Sequence, residues 1–189
     1  MPNNGLVATN SGRLVSLIHP RVEQIHLADI AHHLSFINRW IGASEIPVSV
    51  ASHSLFVANL VAKTNPGAGL NGLMHDAAEA YTGDISRPLR KILGSSISDI
   101  EHNLNRVIYE KFDLIYPMSP GIQELVQSCD DLAGACEART FLHPPIEGCW
   151  DWISELPIRT HTPFAHMTPA KAKADFLRAF TQYHREYFK

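Results

Sequence analysis

Hydrophobic positions along most of this chain recur every three or four residues, which predicts amphipathic helices rather than strands. Ile30, Leu34, Ile37 and Ile41 predict a helix over 27–41. A second follows Pro47 over 48–63, with Val50, Phe56, Val57, Leu60 and Val61 as its apolar face. A third covers 70–81 and stops at Gly83. Ser98 and Glu101 read as a capping box for a fourth, which carries Leu104, Val107, Ile108 and Phe112. Ser119 and Pro120 have the types favoured at an N-cap and first helical position, and the helix they open runs to about residue 141. Thr168 and Pro169 repeat that signature before a last helix with Phe176, Phe180, Tyr183 and Tyr187 inward. Only residues 12–18 alternate in the manner of a strand, ended by Pro20. Residues 143–167 are proline-rich without a period and predict a long ordered excursion of unassigned role.

Composition adds limits. With 189 residues, 45% of them hydrophobic and 19% charged, the chain predicts one mostly helical domain over 1–189 with a sizeable core. No apolar run approaches membrane-spanning length, and the first residues lack the apolar stretch of a signal peptide. The expectation is a cytoplasmic protein with no membrane partner. A net charge of −3 leaves no footprint for duplex nucleic acid. Cys129, Cys136 and Cys149 show no CxxC spacing, so they read as small apolar residues rather than disulfides or zinc thiolates.

Candidate chemistry centres on His75 and Asp76, adjacent in LMHDAAEAY, with His53 upstream and Asp130 downstream. Two imidazoles and two carboxylates on three separate predicted helices can close around one divalent cation, in a site that exists only after folding. The mixed nitrogen and oxygen set suits cobalt, manganese, zinc, iron or nickel better than calcium. Such a cation brings the pKa of a coordinated water toward about 7 and polarises a phosphoryl oxygen. An adjacent His-Asp pair also arises by chance, so its surroundings matter. Asp131 lies about 100° round the helix from Asp130, so only one of the two can face a shared cavity.

Glu79 falls on the same helical face as His75, and Asp84 follows in TGDISRPL. Together they suit proton transfer to and from a leaving oxygen. Taken singly, Glu79 equally suits a solvent-facing helix position and Asp84 the turn after Gly83. Arg39 can fork onto a phosphate and Trp40 offers a flat face to a base or sugar, but a surface arginine beside a core tryptophan fits the local sequence better. Arg87, Arg90 and Lys91 form a basic cluster that suits either phosphates or a solvated face. His32 and His33 are adjacent, one inward and one outward, and neither reads as a ligand.

In order and spacing, His53, His75-Asp76 and Asp130 resemble the H…HD…D pattern of the HD-domain phosphohydrolases. The likeness covers nearly the whole chain through SGRLVSLIHP, LADIAHHLSFINRW, SVASHSLFVANL, LMHDAAEAYTGDISRPLRK and CDDLAGACEART. Within that superfamily the chain resembles bacterial 5′-deoxynucleotidases and related phage enzymes, dATP triphosphohydrolases among them. The resemblance implies an all-α HD helical bundle with a short N-terminal strand. It implies His53, His75, Asp76 and Asp130 as ligands of one divalent transition metal, with Glu137 in CEAR marking the register that selects Asp130. It assigns Glu79 to the attacking water, Asp84 to protonation or the sugar side, and Arg39 and Trp40 to substrate. It also implies a homo-oligomer. Ser52 departs from the Glu or Gln that relatives often carry before the first ligand histidine.

The expected activity is hydrolysis of the 5′ phosphate ester of a 2′-deoxynucleotide, releasing the deoxynucleoside. A dNTP losing triphosphate is preferred, because the opening segment and the proline-rich stretch are closer to the phage-type relatives. Arg87, Arg90 and Lys91 suit a longer phosphate chain, with room for additional magnesium. For a phage protein the cytoplasm would be the host's. The alternatives are a 5′-deoxynucleotidase acting on dNMPs, a nucleotide-binding module without turnover, and an interaction protein whose polar cluster is a satisfied core network.

Overall fold

A computed structural model describes residues 5–143 and 166–189. These residues form mostly helices, preceded by a two-stranded antiparallel hairpin. Strands β1 (Leu6–Ala8) and β2 (Leu14–Ser16) pair Leu6 with Ser16, Val7 with Val15 and Ala8 with Leu14. The predicted alternation holds in β2, where Val15 is buried and Leu14 exposed. The sequence reading missed β1.

Among the described residues eight helices follow: α1 (Leu27–Phe36), α2 (Val50–Thr64), α3 (Gly69–Met74), α4 (Glu79–Thr82), α5 (Arg87–Leu93), α6 (Ser95–Lys111), α7 (Pro120–Phe141) and α8 (Pro169–Tyr187). Short 3-10 turns occur at Val22–Gln24, Trp40–Gly42 and Pro66–Ala68. Helix α2 is the centre of the packing, flanked by α1, α3, α7 and α8. Ile30, Leu34, Leu55, Leu70, Leu73, Met74, Leu104, Ile108 and Phe176 share the main core. A smaller cluster joins Val57 and Val61 of α2 to Val126, Cys129 and Ala133 of α7. Cys129 and Cys136 are buried free thiols, as expected.

The proline-signalled starts of α7 and α8 fall at the predicted residues, and the Thr168 hydroxyl accepts from Lys171 N–H at the start of α8. Phe176, Phe180 and Tyr183 are buried as predicted. Other boundaries differ. The first helix ends at Phe36, not at residue 41, because Asn38 pairs with Ser49 and Arg39 N–H donates to Val48 O. Ile41 therefore points out of the core and is 78% exposed. The helix predicted over 70–81 is interrupted after Met74 by turns that close over three residues, Ala77 N–H to Met74 O and Glu79 N–H to Asp76 O. Ser98 and Glu101 do not cap α6, which begins earlier at Ser95. Glu101 is instead forked by Arg90 of α5, a helix the periodicity did not reveal. Most of the excursion over 143–167 lies outside the described residues.

His32 and His33 are both half-buried rather than one in and one out. His33 bridges the hairpin and the helices: Nδ1 lies 2.7 Å from Ala80 O and Nε2 accepts from Asn10 N–H. Asp29 completes the tether by accepting from Ser11 N–H and Ser11 Oγ–H at 2.9 and 2.7 Å. No helix among the described residues is long and apolar enough to cross a membrane.

Two glycines let α3 approach closely. A Cβ at Gly69 would meet Tyr183 Cδ1 at 2.6 Å, and one at Gly72 would meet Ala58 Cα and Val61 Cγ2, each at 3.0 Å. The Gly72 neighbour is helix backbone, which cannot swing aside. Gly72→Ala is expected to force α2 and α3 apart and destabilise the fold by about 1–3 kcal/mol, read from urea unfolding.

Candidate metal centre

The close α2–α3 contact brings the rings of His53, mid-α2, and His75, just past α3, to 5.4 Å between centroids. Asp130 reaches them from α7. His53 Nε2 lies 3.0 Å from Asp130 Oδ1, and His75 Nε2 lies 3.1 Å from Asp76 Oδ2. The crossed distances, His53 to Asp76 and His75 to Asp130, are 3.7 and 3.9 Å. One donor atom each from His53, His75 and Asp130 falls within 4.8 Å of the others. Asp76 closes the fourth side.

The donor set fits a cation by more than proximity. His53 Nε2 and His75 Nε2 are buried, and neither makes a hydrogen bond of acceptable geometry. Each ring is held from its far side instead: His75 Nδ1–H donates to Gly72 O at 2.8 Å, and His53 Nδ1–H donates to Glu137 Oε1 at 2.7 Å. That arrangement turns both Nε2 atoms toward Asp130 and Asp76, where a cation would take the place of the proton that these carboxylates favour on each ring. Two imidazoles and two carboxylates match a divalent transition metal. Asp131 points elsewhere, accepting from Arg87 Nη2–H at 2.6 Å.

Charge is sorted within the cavity. Burial opposes the charge on His53, as does Arg39, but Glu137 and Asp130 outweigh both and push its pKa up to about 9. Burial likewise opposes the charge on His75, and Asp76 raises its pKa. Asp130 and Asp76 are held below their ordinary range against burial, chiefly by the two histidines. Glu79 goes the other way: burial and the neighbouring Asp76 and Asp84 push it well up, and its Oε2 has no hydrogen-bond partner. Asp84 is raised by burial and by Asp76, with Arg39 opposing.

Arg39 and Trp40 flank this cluster from the short 3-10 turn that follows α1. Arg39 Nε–H donates to Glu137 Oε2 at 2.8 Å, Trp40 Nε1–H donates to the same oxygen at 3.1 Å, and Arg39 Nη1 lies 3.8 Å from Asp76 Oδ2. Arg87 lies further out, 55% exposed, bonded to Asp131 and 3.7 Å from Asp130 Oδ2. Arg90 is 4.0 Å from Glu79 Oε1 while forked on Glu101. The residue that sequence reasoning undervalued is Glu137, read there only as a register mark. It is fully buried beneath His53, Arg39 and Trp40. Its place two turns from Asp130 on one face of α7 is the signal that was available.

Over 134 residues the chain is 34% identical to the uncharacterized protein RCAP_rcc00048 of Rhodobacter capsulatus, an alignment covering 68% of each chain. The chain belongs to the family of that protein. It is also 36% identical over 101 residues to the uncharacterized protein YfdR of Escherichia coli, covering 53% of this chain and 54% of YfdR. No family model matches. Neither relative's name states an activity, so the chemistry rests on the site.

A cation held by these four side chains predicts one equivalent of bound manganese or cobalt in protein prepared without a histidine tag. His75→Ala should abolish that binding, whereas Asp131→Ala should retain it. At a hundredfold excess over Kd the cation should stabilise the wild-type fold by about 2.7 kcal/mol. Metal analysis and thermal unfolding check all three.

Proposed function

We propose that the chain is an HD-type, metal-dependent phosphohydrolase. It cleaves the 5′ phosphate ester of 2′-deoxynucleotides, with a dNTP losing triphosphate as the preferred substrate. The observation that carries this reading is the pair of buried Nε2 atoms facing Asp130 and Asp76 at 3.0 and 3.1 Å without a well-formed hydrogen bond, beside Glu79, a buried acid with an unpartnered oxygen. A divalent cation in that cage supplies Lewis acidity, acidifying a water and drawing charge from a phosphoryl oxygen.

The remaining roles belong to the chain. Asp76 and Asp130 stay ionised while Glu79 and Asp84 are pushed toward their protonated forms. Such divergence within one cavity separates groups that hold charge from groups that move protons. Glu79 is then the proton carrier for the attacking water and the departing 5′ oxygen, and Asp84 assists it from the sugar side. Arg39, positively charged despite its burial, directs its Nη edge toward Asp76 and so toward an incoming phosphate. Trp40 beside it offers a face to the nucleoside, and Arg87 at the rim meets the outer phosphates.

Hydrolysis of dNMPs by the same groups is a second reading, favoured by one observation. Arg87 and Arg90, the cations suited to a longer phosphate chain, already engage Asp131 and Glu101. The family resemblance further supports a homo-oligomer.

Incubation with dATP and with dAMP, each with cobalt or manganese, separates the readings when products are resolved by ion-exchange chromatography. The expected products are deoxyadenosine and triphosphate from dATP. Consumption of dAMP alone selects the second reading, and turnover of neither sinks the hydrolase proposal. Glu79→Gln should lower kcat by about 10²–10⁴-fold while bound metal stays stoichiometric.

A further inference from the structure

We propose that Glu137 is a positioning residue that locks the cation site and the Arg39–Trp40 pair into one geometry, so that each responds to the state of the other. The proposal rests on reading the site as a cation-dependent nucleotide hydrolase. Glu137 offers no atom to the cation. Its Oε1 accepts from the far nitrogen of His53, and its Oε2 accepts from both Arg39 and Trp40. These partners lie 84, 98 and 97 residues away in sequence, so no local helix requirement accounts for them.

The turn that Glu137 grips is strained. Trp40 and Ile41 both have positive φ, 60° and 55°. Ile41 is β-branched, and such residues reach this region only when their surroundings over-determine it. Burial is not what holds it, since Ile41 is largely exposed. The turn is held by Arg39 N–H on Val48 O, by its own short-range bonds, and by the Glu137 carboxylate beneath. A single side chain thus sets the ring angle of a metal ligand and the seat of the residues that face a nucleotide.

Three hydrogen bonds through one carboxylate make a coupling path. With a cation held at His53 Nε2 the imidazole plane would be fixed, Glu137 Oε1 on Nδ1 would be fixed with it, and the planarity of the carboxylate would carry the constraint to Oε2 and its two donors. Reciprocity then requires that whatever seats Arg39 and Trp40 also strengthens the cation site.

Cobalt alone tests this without nucleotide, with metal affinity and the visible cobalt spectrum as readouts. The third readout is the change in Trp40 emission on cobalt addition, obtained by difference from Trp40→Phe because Trp150 and Trp152 also emit. Glu137→Gln should bind cobalt about 10–100-fold more weakly, as loss of an outer hydrogen-bond partner does elsewhere. It should also shift the cobalt spectrum and lose the Trp40 response. Arg39→Lys keeps a positive charge near Asp76 but removes the Nε–H donor to Glu137. It should weaken cobalt binding by about 2–30-fold, and it carries the test if Glu137→Gln does not fold. A folded Glu137→Gln or Arg39→Lys protein with wild-type cobalt affinity and spectrum overturns the proposal alone. Wild-type protein that binds no cobalt overturns the metal reading and this proposal with it.

Discussion

A carboxylate sealed from water must find donors for both oxygens, and Glu137 finds them on two different parts of the chain. That requirement organises the centre of this protein. It holds α7 against α2 through His53, so that Asp130 two turns away arrives at the open nitrogen of the same ring. It also pulls the segment after α1 inward, which places Arg39 at the cavity edge instead of leaving it on a helix surface.

The helix packing supplies the other half of the geometry. Gly69 and Gly72 bring α3 to van der Waals contact with α8 and α2, and the break after Met74 turns His75 and Asp76 toward His53 rather than along a continuing helix. Within the cavity the same burial acts on every acid, yet the outcomes diverge. Asp76 and Asp130 have the histidines for company, whereas Glu79 has mainly other carboxylates. The division between groups that hold charge and groups that carry protons is therefore a consequence of position, since all are acids of similar intrinsic strength.

What the amino-acid sequence determined on its own was local. The proline-led starts of α7 and α8, the inward aromatics of α8 and the helical character of most of the chain follow from capping chemistry and periodicity. These act over one or two turns and need no partner to be read. The ligand types and their order along the chain suggested one site for His53, His75, Asp76 and Asp130; the fold gathers donor atoms of His53, His75 and Asp130 within 4.8 Å and sets Asp76 beside the two histidines.

What only the tertiary structure decided depends on contacts between distant segments. Ile37 and Ile41 continue a helical period, but backbone pairing with residues 48–50 ends α1 sooner. Glu101 has the spacing of a cap, but Arg90 takes its carboxylate. Arg87 has the chemistry of a phosphate ligand, but Asp131 engages it at the rim. Glu137 is one acid among several until His53, Arg39 and Trp40 surround it. In each case the competing partner lies beyond the one or two turns that a local pattern covers, and at Glu137, where the hydrogen bonds are made out of water, they outweigh propensities worth a fraction of a kcal/mol per residue.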